Sequence, residues 1–235
     1  MPRRTLIAIT ALATWGGAAA PARSTEVSFQ EFVNRVTVTA EPGEVNRIRV
    51  TVTPSEVRIT DTAPVADLDP AEPTCRSIRG SAVTSSAVTC DRIATETMRM
   101  QMRDRDDRIE FREVGDDLEQ PFAFFARGGS GDDVLVAITP AVERDLVLRG
   151  EAGNDQLFGA AGADLLEGGT GADVLTGRAG RDRLDGGAGP DTFLGGSGAD
   201  RLLAKDGARD TKLNCGSGAD VLSRDVRLDP SPISC

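Results

Sequence analysis

The stretch GAAGADLLEGGTGADVLTGRAGRDRLD, residues 159–185, repeats one nine-residue pattern three times. In every copy the fourth residue is Gly, the sixth is Asp and the eighth is Leu. The same three places recur in eight copies along the chain, with Phe replacing Leu once, and six copies are contiguous from Gly150 to Leu203. The copies begin at residues 128, 150, 159, 168, 177, 186, 195 and 215. Three fixed places kept in register over this distance indicate a structural repeat rather than biased composition.

The copies follow the pattern G-G-x-G-x-D-x-U-x and resemble the hemolysin-type calcium-binding repeats of RTX proteins. The resemblance implies an all-β fold, a parallel β-roll or β-solenoid in which Gly-rich turns alternate with short strands. Two nonapeptides would make one coil, so that residues 18 apart lie one strand spacing, about 4.8 Å, from each other. The eighth-place side chains would then stack as the core; they are Leu135, Leu157, Leu166, Leu175, Leu184, Phe193, Leu202 and Leu222.

This geometry would stack the repeated acids in two columns, one on each edge of the roll. Two carboxylates about 5 Å apart repel by about 1 kcal/mol in water and by about 3 kcal/mol at an effective dielectric constant of 20. A divalent cation between successive turns would reverse that penalty. Carboxylates from two neighbouring turns, completed by backbone carbonyls, form an all-oxygen site that suits Ca²⁺ better than Mg²⁺ or zinc. The predicted cofactor is therefore Ca²⁺, and the predicted ligands are Asp133, Asp155, Asp164, Asp173, Asp182, Asp191, Asp200 and Asp220.

Two of these positions lie outside the contiguous block. Asp133 is separated from the block by the insertion 137–149, and Asp220 follows a slipped repeat, 204–214, in which Asp210 comes one place late. The sequence alone leaves open whether Asp133 and Asp220 complete sites.

Several copies also depart from the pattern at its second place. Glu151, Ala160 and Arg178 stand where the repeat has Gly. The backbone carbonyls remain at these positions, but we expect the positive charges of Arg178 and Arg181 to weaken cation affinity locally.

The region before the repeats alternates apolar and polar residues with the period of a half-buried β-strand. Examples are RIRVTVT at 47–53 and TETMRMQM at 95–102, whose three alternate methionines we expect to pack in a core rather than to bind a metal. The stretch MRDRDDRIE at 102–110 fits the repeat register, with Asp107 in the acid place and Ile109 in the core place. This fit favours a continuation of the solenoid over an unrelated small β-domain.

The first 22 residues have the pattern of an export signal. Arg3 and Arg4 precede a short apolar run and then small residues, so we expect cleavage after Ala20 or Ala22. No segment has the run of about 20 apolar residues that a membrane-spanning helix requires. The predicted location is extracellular, and the layout resembles that of secreted bacterial proteins of this repeat family.

Four cysteines lie in the exported part, and an even number in a secreted chain suggests disulfides. Three connectivities are open, and the short loops favour Cys75–Cys90 and Cys215–Cys235. The predicted organisation is a signal peptide at 1–22, an N-terminal β region or cap at 23–127, the calcium-binding roll at 128–223 and a disulfide-tied cap at 224–235.

The composition excludes several classes of function. With no His, the chain has no Ser-His-Asp triad, no Cys-His pair and no His-ligated zinc. A net charge of −10 disfavours nucleic acid and anionic membranes as partners. We predict no catalytic residue and favour a non-enzymatic calcium-binding protein with a structural or adhesive role outside the cell.

Two alternatives stay open. One is a carbohydrate-binding accessory module in which Arg178, Arg181, Arg183 and Arg201 meet the uronate groups of an extracellular polysaccharide, although these arginines also fit a simple role in balancing charge. The other is a Ca²⁺-dependent polysaccharide-active enzyme, for which no motif is present.

Overall fold

The computed structural model describes residues 26–30, 35–39, 43, 45–61, 75–79, 86–91, 97–114, 123–138 and 145–235. The predicted signal peptide lies outside these residues. Every helix or strand assigned within the described part of the chain is a β-strand. The strands are β1 Glu26–Gln30, β2 Arg35–Thr39, β3 Arg47–Val52, β4 Glu56–Asp61, β5 Cys75–Arg79, β6 Ser86–Asp91, β7 Thr97–Gln101, β8 Arg108–Glu113, β9 Ala123–Ser130, β10 Val134–Ile138, β11 Leu146–Ala152, β12 Gln156–Phe158, β13 Leu165–Thr170, β14 Val174–Ala179, β15 Arg183–Ala188, β16 Thr192–Ser197, β17 Arg201–Ala204, β18 Lys212–Ser217 and β19 Val221–Arg224.

The strands form two stacked sheets. The nine-stranded sheet has the order β1-β2-β7-β9-β11-β13-β15-β17-β19, and the ten-stranded sheet has the order β18-β16-β14-β12-β10-β8-β3-β4-β6-β5. From β7 onward, successive strands alternate between the sheets, and each pairs in parallel with the strand two places away in the chain. Antiparallel pairs occur at the N-terminal end, between β1 and β2 and among β3 to β6. The predicted all-β parallel roll is therefore confirmed.

The strand register confirms that two nonapeptides make one coil. Leu148, Leu166, Leu184 and Leu202 lie opposite one another in steps of 18 residues in the nine-stranded sheet. Leu157, Leu175 and Phe193 do the same in the ten-stranded sheet. The predicted core residues are fully buried, except that Leu222 in the last strand is only partly buried against the core. The side chains meet between the sheets because alternate residues of each strand face inward.

The fourth-place glycine has two structural reasons to be invariant. Gly171 has a φ of 131°, a backbone conformation that L side chains rarely adopt. A Cβ at Gly171 would also collide with the carbonyl of Gly153, the same place one coil earlier. The turns therefore pack on each other too closely for any side chain.

The solenoid continues before the repeats. β8 pairs in parallel with β10, which places Ile109 opposite Leu135, and β3 pairs in parallel with β8. Met98, Met100 and Met102 are buried in the same core, as predicted. β9 runs through residues 127 and 128, so the parallel stack is continuous there. The domain boundaries drawn from the sequence stay predictions.

One predicted disulfide is confirmed. Cys215 and Cys235 are bonded, with their Cα atoms 5.1 Å apart. The tail lies beside β18, where Cys215 N–H donates to the carbonyl of Ile233 at 3.1 Å and Ile233 N–H donates to that of Leu213 at 2.8 Å. The tail therefore lies along β18, one of the two edge strands of the ten-stranded sheet.

The other disulfide stays a prediction. The register of β5 and β6 places Cys75 opposite Cys90, but the side chains of both lie outside what the structure describes. As for membrane spans, the described residues include no helix that is long and apolar enough to cross a bilayer.

Candidate metal centre

The acid-place residues lie in the turns that join the two sheets, on two edges of the roll. We call the turns that lead from the nine-stranded to the ten-stranded sheet the first edge, and the turns that lead back the second edge. The first edge carries Asp107, Asp133, Asp155, Asp173, Asp191, Asp210 and Asp229. The second edge carries Leu146, Asp164, Asp182, Asp200 and Asp220.

Hydrogen bonds join the members of each column from coil to coil. Oδ1 of each aspartate accepts the backbone N–H of the acid-place residue one coil earlier. Asp155 N–H donates to Asp173 Oδ1 at 2.8 Å, and Asp173 N–H donates to Asp191 Oδ1 at 2.9 Å. On the second edge Asp182 N–H donates to Asp200 Oδ1 at 2.9 Å. This ladder fixes each carboxylate in one orientation.

The second carboxylate oxygen is buried and has no partner in most turns. Within the described part of the chain, seven ladder Oδ2 atoms accept no hydrogen bond; they belong to Asp107, Asp133, Asp155, Asp173, Asp182, Asp200 and Asp210. Buried polar atoms in native proteins normally have a partner, so seven repeated exceptions require an explanation. The ladder therefore contains more buried carboxylate oxygens than the surrounding N–H donors can satisfy.

Backbone oxygens border the same space. A Cβ added to Gly168 would collide with Asp173 Oδ2 and with the carbonyl oxygen of Gly186, one coil further on. The same pair of contacts recurs at Gly150, which faces Asp155 Oδ2 and the carbonyl of Gly168. An unpartnered carboxylate oxygen beside a carbonyl oxygen is the all-oxygen environment that Ca²⁺ prefers. The residues present therefore fit a calcium ion.

Any such ion would depend on backbone oxygens. Across the described residues, no three Cys, Asp or Glu side chains converge on one point. A site between two coils would therefore take one carboxylate from each coil and complete its shell with carbonyls, the arrangement expected from the sequence.

The electrostatics of the ladder also favour a cation. Burial is the main cause that raises the pKa of Asp133, Asp182 and Asp191 to about 7. The carboxylates of neighbouring coils raise it further, while the N–H donors of the ladder oppose the shift. Burial also raises the pKa to about 6 for a second group, consisting of Asp107, Asp155, Asp164, Asp173 and Asp210. Without metal, the folded ladder therefore binds protons more readily than exposed carboxylates do.

The structure places all eight predicted aspartates in the two columns, including the two irregular ones. Asp133 N–H donates to Asp155 Oδ1 at 2.8 Å despite the insertion between them. Asp220 Oδ1 accepts the Asp200 N–H at 2.9 Å despite the slipped repeat. Their role as metal ligands stays a prediction.

Sequence reasoning missed two members of the first edge. Asp210 Oδ1 accepts the Asp191 N–H at 2.9 Å, and Asp229 Oδ1 accepts the Asp210 N–H at 3.1 Å. The sequence did contain a signal for Asp210, because the slipped repeat has an Asp one place later than the pattern. Asp229 had none, because the tail does not follow the repeat.

Comparison with known families agrees with this geometry. Residues 147–175 and 176–208 match the RTX calcium-binding nonapeptide repeat, in four copies. This part of the chain consists of RTX-type nonapeptide repeats. Its repeats belong to a calcium-binding class, which supports Ca²⁺ as the bound ion of the RTX roll. Neither the curated proteins nor the solved structures gave a significant match.

Proposed function

We propose that this RTX protein is a non-enzymatic, secreted calcium-binding protein whose roll folds on Ca²⁺ binding and has a structural or adhesive role outside the cell. The observation that carries the proposal is the repeated, unpartnered Oδ2 of the buried aspartate ladder. The proposed ligands are the eight sixth-place aspartates predicted from the sequence. Because the ions would bind only the folded turns, their binding energy would be folding energy.

An extracellular location is supported by a disulfide of the chain and would suit the Ca²⁺ affinity of extracellular modules. The Cys215–Cys235 disulfide belongs to oxidising compartments. Extracellular calcium modules bind with dissociation constants of about 10⁻⁴ to 10⁻³ M, which suits the millimolar Ca²⁺ outside cells. A chain of this kind would stay loosely folded before export, where Ca²⁺ is scarce, and would fold outside.

A carbohydrate-binding role has less support. Arg178 donates hydrogen bonds to carbonyls of the roll, and Arg183 pairs with Asp185 at 3.2 Å. Two of the four arginines considered for uronate binding therefore have partners within the protein. Arg181 and Arg201 remain exposed on its surface.

The test is a Ca²⁺ titration of the purified, oxidised protein followed by far-ultraviolet circular dichroism, with Mg²⁺ in a parallel titration. Asp173→Asn removes one ladder charge that would serve two sites. Asp185→Asn is the matched control, because Asp185 lies on strand β15 rather than in the ladder. We expect β signal to appear cooperatively with Ca²⁺ alone, and to require more Ca²⁺ in Asp173→Asn than in the control.

Two results would contradict the proposal. One is a full β signal in chelator that Ca²⁺ does not change. The other is a Ca²⁺ midpoint for Asp173→Asn equal to that of Asp185→Asn, which would mean that losing the ladder charge does not weaken Ca²⁺-driven folding.

A further inference from the structure

On the second edge of the roll, the coil before Asp164 has no acid in the acid place. Leu146 occupies the acid place one coil before Asp164, and its N–H donates to Asp164 Oδ1 at 3.0 Å, as an aspartate does in later coils. The Leu146 side chain is buried in the core. The step from Leu146 to Asp164 therefore has one buried ladder carboxylate, whereas the step from Asp182 to Asp200 has two.

The carboxylate of Asp164 already has hydrogen-bond partners for both of its oxygens. Ala160 N–H donates to Asp164 Oδ2 at 2.7 Å, in addition to the bond from Leu146 to Oδ1. The corresponding Oδ2 atoms of Asp182 and Asp200, on the same edge, are buried without a partner. Asp145, one place before Leu146, accepts the Ala163 N–H at 3.1 Å and is exposed. The oxygens at this step are thus less available to a metal than those at the steps that follow.

A side chain supplies a positive charge at the same step. Arg178 Nη1 donates to the carbonyl of Ala137 at 2.6 Å and to that of Gly159 at 2.8 Å. The β10–β12 register places Ala137 one coil before Gly159. The guanidinium carbon lies 5.9 Å from the centre of the Phe158 ring, which helps to hold the side chain in place. Arg178 therefore joins the carbonyls of two successive coils, as a bound cation would.

We propose that the Arg178 guanidinium takes the place of Ca²⁺ at the step from Leu146 to Asp164, and that this step forms without metal and templates the calcium-dependent coils that follow it. This inference rests on the proposed function. Charge balance supports it, because two carboxylates with one Ca²⁺ are neutral, and so are one carboxylate and one guanidinium. A guanidinium keeps its charge at every physiological pH, so this step would not depend on the Ca²⁺ concentration.

The backbone conformation at Arg178 indicates that its side chain has a function at this place. Arg178 has a φ of 79°, in the left-handed region, at a place where the repeat has Gly. Glu151 occupies the same place of another copy with a φ of 81°, and its exposed side chain lies 3.7 Å from Arg127. Changing either residue to Gly restores the repeat and relieves the same backbone strain. The two substitutions differ in what the lost side chain touches.

This difference gives a matched experiment on the full, oxidised protein. Arg178→Gly should raise the midpoint of the Ca²⁺ titration by about twofold, because it removes charge-assisted hydrogen bonds that all the cooperating sites share. Glu151→Gly should leave the midpoint unchanged or lower it. If Arg178 merely repelled Ca²⁺, Arg178→Gly would lower the midpoint. A midpoint that is lowered or unchanged in Arg178→Gly would overturn the proposal.

A second measurement counts bound calcium by equilibrium dialysis and elemental analysis at saturating Ca²⁺. The double variant Leu146→Asp with Arg178→Gly rebuilds a two-carboxylate step and should bind one more ion than the wild type. A wild type that binds as many ions as the double variant would contradict the proposal, because replacing the guanidinium by a second carboxylate would then have created no further site. Absence of any Ca²⁺ binding by the wild type would instead refute the proposed function. The midpoint comparison does not require the double variant to fold.

Discussion

Replacing Asp182 by Asn should stabilise the calcium-free protein while weakening its calcium binding. Asp182 is buried, its Oδ1 accepts the Asp164 N–H at 2.9 Å, and its Oδ2 has no partner. Burial is the largest cause that raises its pKa, and the charges of Asp164 and Asp200 add to the shift. Asn has nearly the same shape and keeps the Oδ1 acceptor, but it carries no charge. The carbonyl of Gly195, which borders the same space, could accept a hydrogen bond from the new amide.

The size of the effect follows from the pKa. A rise from 3.8 to about 7 corresponds to a cost of about 4 kcal/mol for the ionised carboxylate in the metal-free fold, as an upper limit. Burying an amide that is only partly hydrogen-bonded costs about 1–2 kcal/mol. The free energy of unfolding of Asp182→Asn in chelator should therefore exceed that of the wild type by about 2 kcal/mol at pH 8. The variant should lose this advantage near pH 4, where the wild-type carboxyl is protonated in the folded state.

The assay is urea unfolding in chelator at pH 8 and pH 4, followed by circular dichroism, together with a Ca²⁺ titration at pH 8. Asp185→Asn is again the control for the loss of a negative charge outside the ladder. Where the metal-free wild type is largely unfolded at pH 8, the variant should show the larger folded fraction. A variant that is less stable than the wild type in chelator at pH 8 would refute the reasoning, because the carboxylate would then stabilise the fold without metal.

Two further predictions concern pH and the tail. The affinity of the folded ladder for Ca²⁺ should fall as the pH falls from about 7 to about 4, because protons compete for ladder carboxyls whose pKa values are raised to about 6 or 7. The metal-free fold should lose stability as the pH rises through the same range. Measurements of bound Ca²⁺ on the folded protein at pH 8, 6 and 5 test this, and an affinity that does not change with pH would contradict it. Replacing Cys215 and Cys235 by Ser opens a loop with a sequence separation of 20 and should lower the free energy of unfolding by about 3 kcal/mol. Urea unfolding in saturating Ca²⁺ measures this loss, and a loss near zero would show that the hydrogen bonds of Ile233 hold the tail alone.

The repeat pattern was sufficient to predict the architecture of the roll. In each copy the Gly place determines a turn, the Asp place lies on an edge of the roll, and the Leu place lies in the core. The Leu side chains reach the core because alternate residues of a strand point to the same face. The same reasoning identified Asp107 and Ile109 in a stretch without glycine, where Arg105 takes the left-handed conformation with a φ of 76°. The N-terminal antiparallel strands could be predicted as strands, but their pairing could not, because alternation alone does not specify a partner.

The irregular coils could not be predicted, because the ladder depends on where a turn places its extra residues. In the slipped repeat, residues 205–209 bulge into solvent, and a Cβ added to Gly207 would meet no atom within 4 Å. The turn at Gly198 is different, because a Cβ there would collide with the carbonyl of Gly180. Added residues are therefore tolerated where a turn faces solvent. For this reason Asp210 reaches the acid column although it stands one place later than the repeat pattern requires.

The contacts of Arg178 also could not be predicted from its place in the repeat. Its position in the pattern suggested a charge that repels cations, but its side chain extends back over a full coil to Ala137, 41 residues earlier in the chain. A repeat pattern specifies where a Cα lies but not where a long side chain ends. The missing acid at Leu146 and the added cation at Arg178 are separate departures in the sequence, and they meet at one step of the roll. In a solenoid, each coil contacts only its neighbours, so a departure from the repeat pattern in one coil acts on the coils stacked against it. Departures in neighbouring coils therefore have to be interpreted together.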